Sequence, residues 1–188
     1  GFRIVPFSKE LYIEREDFLE VASAKFFRLS IGNEVRLKNA YIIKAEKVIK
    51  DSDGNSTEIH VTYDTDSLSG SESEASKRKV AGTLHWVSIK HALQTEVRLY
   101  DRLFIDEAPD SYKEKNFLDF INVNSLKIVK GFAEPSLATA EIGNKFQFQR
   151  LGYFNVDKDS TASKLVFNKT VGLKDAWEEK GKKEENSI

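Results

Sequence analysis

Apolar and polar residues alternate with a period of two along most of the chain, the pattern of strands that bury one face. In Glu34-Val35-Arg36-Leu37-Lys38-Asn39 the apolar and basic positions take turns. Residues 41–50 are rich in β-branched side chains and end at Asp51-Ser52-Asp53-Gly54-Asn55, after which Thr57 to Tyr63 alternates again. An Asp-Gly pair between two such runs predicts a β-hairpin, because both residues tolerate the positive φ of a tight turn. The same period predicts strands over 79–87, 95–104, 125–130, 145–156 and 165–173. Two stretches carry helical spacing instead: 17–27, through Phe18, Leu19, Ala22 and Phe26, and 111–121, through Phe117, Phe120 and Ile121 behind an Asp110 or Ser111 cap. Residues 64–76 are Ser-, Asp-, Glu- and Gly-rich and predict a loop, and 178–188 read as a charged tail.

Many short strands at regular spacing predict a mainly β protein built as small barrels or sandwiches. The turn chemistry around Pro109 marks the expected boundary. It divides the chain into a first β-barrel region over 1–105 and a second over 106–177, with strands free to exchange between them. A single mixed domain is the alternative. No strict internal repeat is present.

Composition narrows the function. The chain has 188 residues, 40% of them hydrophobic, with 29 basic against 30 acidic side chains and a net charge of −1. That apolar fraction excludes a disordered chain. No apolar run approaches the ~18 residues of a membrane span, so no membrane partner is expected. The absence of Cys excludes disulfides and thiolate metal sites and suits a cytoplasmic location. Near-neutrality excludes a polyanion binder that uses its whole surface, so nucleic-acid contacts must come from local basic patches. The chain also lacks Met and opens with Gly1, which suggests a piece excised from a longer protein.

Recognisable catalytic patterns are missing. There is no Gly-rich phosphate loop, no Gly-x-Ser-x-Gly elbow and no His-Glu-x-x-His pattern. His85, in the strand-like run Gly82 to Val87, reads as a packed structural histidine. No catalytic residue and no metal ligand is expected in the chain.

Binding chemistry is present. Lys77-Arg78-Lys79 follows the acidic loop, Arg36 and Lys38 share one strand face, and Arg98 and Arg102 share another. In Lys145-Phe146-Gln147-Phe148-Gln149-Arg150, an unbroken strand sets Gln147 and Gln149 on one face, with Phe146, Phe148 and Arg150 on the other. The Phe residues fit a core. The amides do not need one. An amide offers a donor and an acceptor together, which matches the pairing edge of an unpaired base.

These residues carry a resemblance. Val5-Pro6-Phe7-Ser8, residues 12–18, residues 34–44, Gly82 to Ser88, Val97 to Phe104, residues 131–137, Phe146 to Phe154 and residues 166–175 together resemble the C-terminal anticodon-binding region of glutaminyl-tRNA synthetases. They run in order from about Arg3 to Trp177. The resemblance implies two antiparallel β-barrels, similar to a ribosomal 5S-RNA-binding barrel. It also implies a tRNA(Gln) anticodon loop as partner, a monomer, and an upstream catalytic domain that holds ATP and Mg, with no cofactor in this chain.

The family implies site residues one by one. The central anticodon base, U, is held by the segment written here as Gln147-Phe148-Gln149-Arg150, assisted by Arg3. The flanking bases meet basic residues of the first barrel, matched here by Lys77, Arg78 and Lys79, with Asn39 and Lys174 as further positions. Two residues depart from the family pattern: Gln149 stands where Glu is expected, and Lys174 where Arg is expected. An amide donates as well as accepts, and Lys lacks the bidentate fork. The anticodon-binding region of an archaeal or eukaryote-type glutamyl-tRNA synthetase, and a ribosomal-protein-like rRNA-binding barrel, remain alternatives.

Overall fold

The computed structural model describes residues 3–173. They form two compact units: one over Ile4–His91, the other from Ala92 onward and including Arg3. The division falls at 91/92, ahead of the expected boundary near Pro109. Pro109 sits in the long loop between two strands of the second unit, so its turn chemistry marks a connection inside a unit.

In the first unit, β1 (Leu11–Tyr12), β2 (Glu34–Leu37), β3 (Ile42–Lys50), β4 (Ser56–Asp64), β5 (Thr83–Leu84) and β6 (Val87–Ser88) appear in order. The main sheet runs β4-β3-β2-β5, and β1 pairs with β6. The β3–β4 hairpin forms as predicted. The Asp51 side chain accepts the backbone N–H groups of Asp53 at 3.0 Å and Asn55 at 2.8 Å, and Gly54 takes φ 82°. The inward positions of β2, Val35 and Leu37, are fully buried with Ala45 and Leu84. Each buried Val or Leu contributes about 1.5–3 kcal/mol from water exclusion.

The helix expected over 17–27 does not form. Asp17 ends a single 3-10 turn and is fully buried. It accepts the Arg28 Nε–H at 3.0 Å on its carboxylate, and the Leu29 N–H at 3.0 Å on its carbonyl. Phe18 and Leu29 then enter the core as bridge partners. A buried carboxylate needs these donors, and that demand overrides a weak helical pattern. The predicted loop 64–76 carries a 3-10 turn at Thr65–Ser67 and runs into a short helix, α1 (Glu74–Lys77), capped by the Ser73 hydroxyl. The strand predicted over 79–87 is reduced to β5 and β6.

The second unit holds β7 (Leu93–Tyr100), β8 (Leu126–Ala133), β9 (Lys145–Phe148), β10 (Gly152–Val156) and β11 (Leu165–Val171), in a sheet ordered β8-β7-β11-β10-β9. Phe154, Val156, Leu165 and Phe167 form its core, with Val97, Phe146 and Phe148 packed against them. The mainly β architecture is as predicted. The pairing is not purely antiparallel: β2–β5 and β7–β11 run parallel. Parallel neighbours need long crossovers, which the intervening strands and loops supply.

The helix expected over 111–121 shrinks to one 3-10 turn, Phe117–Phe120. Its cap is Asn116, in a capping box with Asp119. Upstream, the Tyr112 hydroxyl donates to Asp106 at 3.0 Å, and its ring stacks on Phe120 at 4.9 Å. These contacts hold the preceding residues out of helical geometry.

Candidate nucleic-acid interface

The run 145–156 is a hairpin rather than one strand. β9 ends at Phe148, and the Phe148 carbonyl accepts the Leu151 N–H at 3.0 Å. Gln149 and Arg150 are the central residues of that turn, and Arg150 takes φ 67°. Positive φ at the third turn position belongs to a type II geometry, which usually selects Gly or Asn. Arg150 is therefore held in a conformation that costs about 1–3 kcal/mol and recurs at functional sites.

Alternation decides what faces inward. The Phe148 ring stacks on Phe154 at 4.3 Å and meets Phe167 edge-on at 5.2 Å. Phe146 also packs on the core. Gln147, Gln149 and Arg150 are all exposed. The turn shifts Gln149 and Arg150 from strand faces to the hairpin tip. Two amides and a guanidinium are thus displayed together over an aromatic base. Among the described residues β9 is also a sheet edge, with no strand on its outer side.

Gly152 fixes the hairpin to the sheet. Its φ is 139°, and a Cβ there would lie 2.4 Å from the Val171 carbonyl oxygen. The β10–β11 register slips between Tyr153 and Phe154, leaving Thr170 as the extra residue of a bulge. The Thr170 hydroxyl donates to the Tyr153 carbonyl at 3.1 Å. Bulges of this kind re-aim side chains at sheet rims. Tyr153 is a site candidate that no sequence motif marks. It pairs in register with Gln147, points away from the buried Phe154, and is 47% exposed. Strand alternation would have exposed it once the turn at 149–150 was recognised.

Arg3 belongs to the same unit and forms a two-pronged ion pair with Glu134, Nη2 lying 2.8 Å from Oε1. Glu134 raises the guanidinium pKa above its ordinary value. The Arg3 side chain stays half exposed, oriented by its partner.

The first unit holds the remaining candidates. Lys77 and Lys79 are exposed. Arg78 is committed to the fold: it bonds both Glu34 oxygens at 3.0 and 3.1 Å and Asp64 at 2.7 Å. The Arg78 guanidinium in turn holds the Asp64 carboxyl below the usual carboxylate range. Arg36 is similarly occupied, donating to the carbonyls of Ser67, Ser76 and Arg78. Asn39 is exposed at the β2–β3 turn with φ 56°, a geometry its short amide tolerates. Lys174 lies outside the described residues. His91 makes a short contact to a buried serine, its Nδ1 lying 2.8 Å from Ser88 Oγ. Among the described residues no cluster of three or more His, Asp or Glu side chains is placed to hold a metal ion, and no helix is long and apolar enough to cross a membrane.

The exposed tip of this mainly β chain carries amide and guanidinium groups, the donor and acceptor types that match the pairing edge of an unpaired base. Comparison with known families places it further. Residues 1–64 and 83–157 each match a family described as "tRNA synthetases class I (E and Q), anti-codon binding domain". The chain belongs to this family of anticodon-binding domains. Among individual proteins, it is 53% identical over 94% of its length to the glutamine–tRNA ligase of Vibrio parahaemolyticus serotype O3:K6. It is 54% identical over 96% of its length to those of Shigella boydii serotype 4 and Escherichia coli O157:H7. The chain spans 31–32% of the length of these curated relatives.

Proposed function

We propose that this chain is the anticodon-reading part of a glutamine–tRNA ligase. The β9–β10 tip takes the central anticodon base, and Lys77 and Lys79 meet flanking nucleotides or their phosphates. The observation that carries this reading is the outward display of Gln147, Gln149 and Arg150 while Phe146 and Phe148 anchor the same strand inward. The matching family covers both the E and Q enzymes, and the similar relatives are glutamine–tRNA ligases, which favours glutamine over glutamate.

Chemistry explains the preference for U. Uridine presents acceptor, donor, acceptor along its pairing edge. An amide can accept the N3–H and donate to O4, but a freely rotating amide would suit cytidine equally. Arg removes that ambiguity, because a guanidinium only donates: it satisfies O4 or O2 of uridine and repels the cytidine amine. Each good base-edge contact is worth about 1–3 kcal/mol. Arg150 and Arg3 are the candidates, and Glu134 keeps Arg3 in one orientation. With Gln at position 149, the tip carries no acidic acceptor of its own, so Gln147 is the N3–H acceptor here.

The ATP- and Mg-dependent formation of aminoacyl-tRNA is assigned to the remaining part of the parent protein. This chain supplies binding and selection, as a monomer in the cytoplasm. The ribosomal alternative makes an opposite prediction, since rRNA-binding barrels take folded helices. In a competition assay, an anticodon stem-loop with U at its centre should displace a labelled loop from the 188-residue chain far better than a fully paired hairpin of equal length. Equal or better displacement by the paired hairpin would refute the proposal.

A further inference from the structure

We propose that Tyr153 is the stacking platform for the nucleobase whose pairing edge Gln147 meets. The inference rests on the reading of the hairpin tip given above and adds a residue with a different task.

The register sets the geometry. Gln147 on β9, Tyr153 on β10 and Val171 on β11 stand side by side across three strands. Directly opposed residues on one sheet face have Cβ atoms about 4.5–5.5 Å apart. A base laid over the Tyr153 ring therefore reaches the Gln147 amide with its edge, and Val171, 59% exposed, extends the apolar floor on the far side. The ring lies on the face opposite Phe154, which is 3% exposed and supplies the inward packing of this strand. Tyr153 is not needed for the core, and an exposed aromatic here leaves apolar area in water. A base would cover it.

Two local features pin the backbone that carries the ring. The Gly152 backbone approaches β11 more closely than any side chain allows, and the bulge at Thr170 is closed onto the Tyr153 carbonyl. The platform thus sits on a pinned segment, as stacking requires. Stacking is tolerant of base identity, because every base has a flat face. The amide and the guanidinium are selective. The division of labour is that Tyr153 supplies affinity for any base at this position, and Gln147 with its arginine partner supplies the choice.

The test compares wild type with Tyr153→Phe, Tyr153→Leu and Tyr153→Trp in the 188-residue chain. Fluorescence anisotropy is measured with stem-loops carrying U, C or an abasic sugar at the centre. Tyr153→Leu should weaken the U-centred loop about tenfold and Tyr153→Phe by less than about twofold. On the abasic loop the Leu variant should match wild type. Tyr153→Trp should bind at least as tightly as wild type and show an added quench of indole fluorescence with U-centred but not abasic loops. A Leu variant equal to wild type on the U-centred loop, the same Leu penalty on the abasic loop, or no added Trp quench would each overturn the platform. If wild type itself does not prefer U-centred over C-centred loops, the base-reading assignment fails instead, and the Trp quench still reports whether a base stacks.

Discussion

Arg78 and Lys79 are neighbours in sequence and separate in role. Arg78 is spent on Glu34 and Asp64, whereas Lys79 projects outward. Lys79→Ala should therefore weaken binding to every anticodon loop alike and lower the slope of log affinity against log salt by about one. Arg78→Ala should act on the fold instead, lowering the thermal midpoint because two carboxylates lose their partner. Titrating affinity against salt for both variants separates the two. The sequence shows a basic run, but a run cannot reveal which member has a carboxylate waiting across the sheet. The same holds for Arg36, whose donors end on three carbonyls. By contrast, the outward placement of Gln147 was legible from alternation alone, because two Phe residues beside it had to go inward.

At the scale of elements, the β3–β4 hairpin was legible because Asp-Gly and two alternating runs point the same way. The β9–β10 hairpin was not, because its turn residues are Gln149 and Arg150, which carry no turn preference; only Gly152 hinted at it. That glycine now has a specific role. Gly152→Ala should cost about 1–3 kcal/mol from backbone strain, and more from the 2.4 Å approach to the Val171 carbonyl. A urea unfolding curve should show the lower midpoint. The two predicted helices failed for a shared reason. Their apolar spacing is real, but polar side chains nearby, Asp17 in one case and Tyr112 with Asn116 in the other, find better partners in a non-helical backbone.

At the scale of the whole molecule, ion pairs link distant parts of each unit and make stability depend on acidity. In the second unit, Arg98 bonds Glu96 at 3.0 Å, Asp157 at 3.3 Å and Asp159 at 2.8 Å, and Lys164 bonds Glu96 at 2.7 Å. Lys164 and then Arg98 hold the Glu96 carboxyl below its usual range, while the Asp159 N–H and the Asn168 amide do the same for Asp157. Carboxyls depressed in the folded state stabilise it above their unfolded pKa of about 4 and lose that contribution as pH falls through the folded values. The thermal midpoint should be level from about pH 5 to 7 and drop below about pH 4. Arg98→Ala should flatten that drop, and an unchanged drop would show that other carboxylates carry it.

The central claim is that unpaired bases are chosen by the β9–β10 tip. It is tested most directly by the ratio of affinities for U-centred and C-centred anticodon loops, measured side by side for wild type and Gln147→Ala. Two or three base-edge contacts predict a wild-type ratio on the order of 10²-fold, falling steeply in the variant because binding to the U-centred loop weakens more. A ratio near one in wild type, or the same ratio in both proteins, would contradict the account.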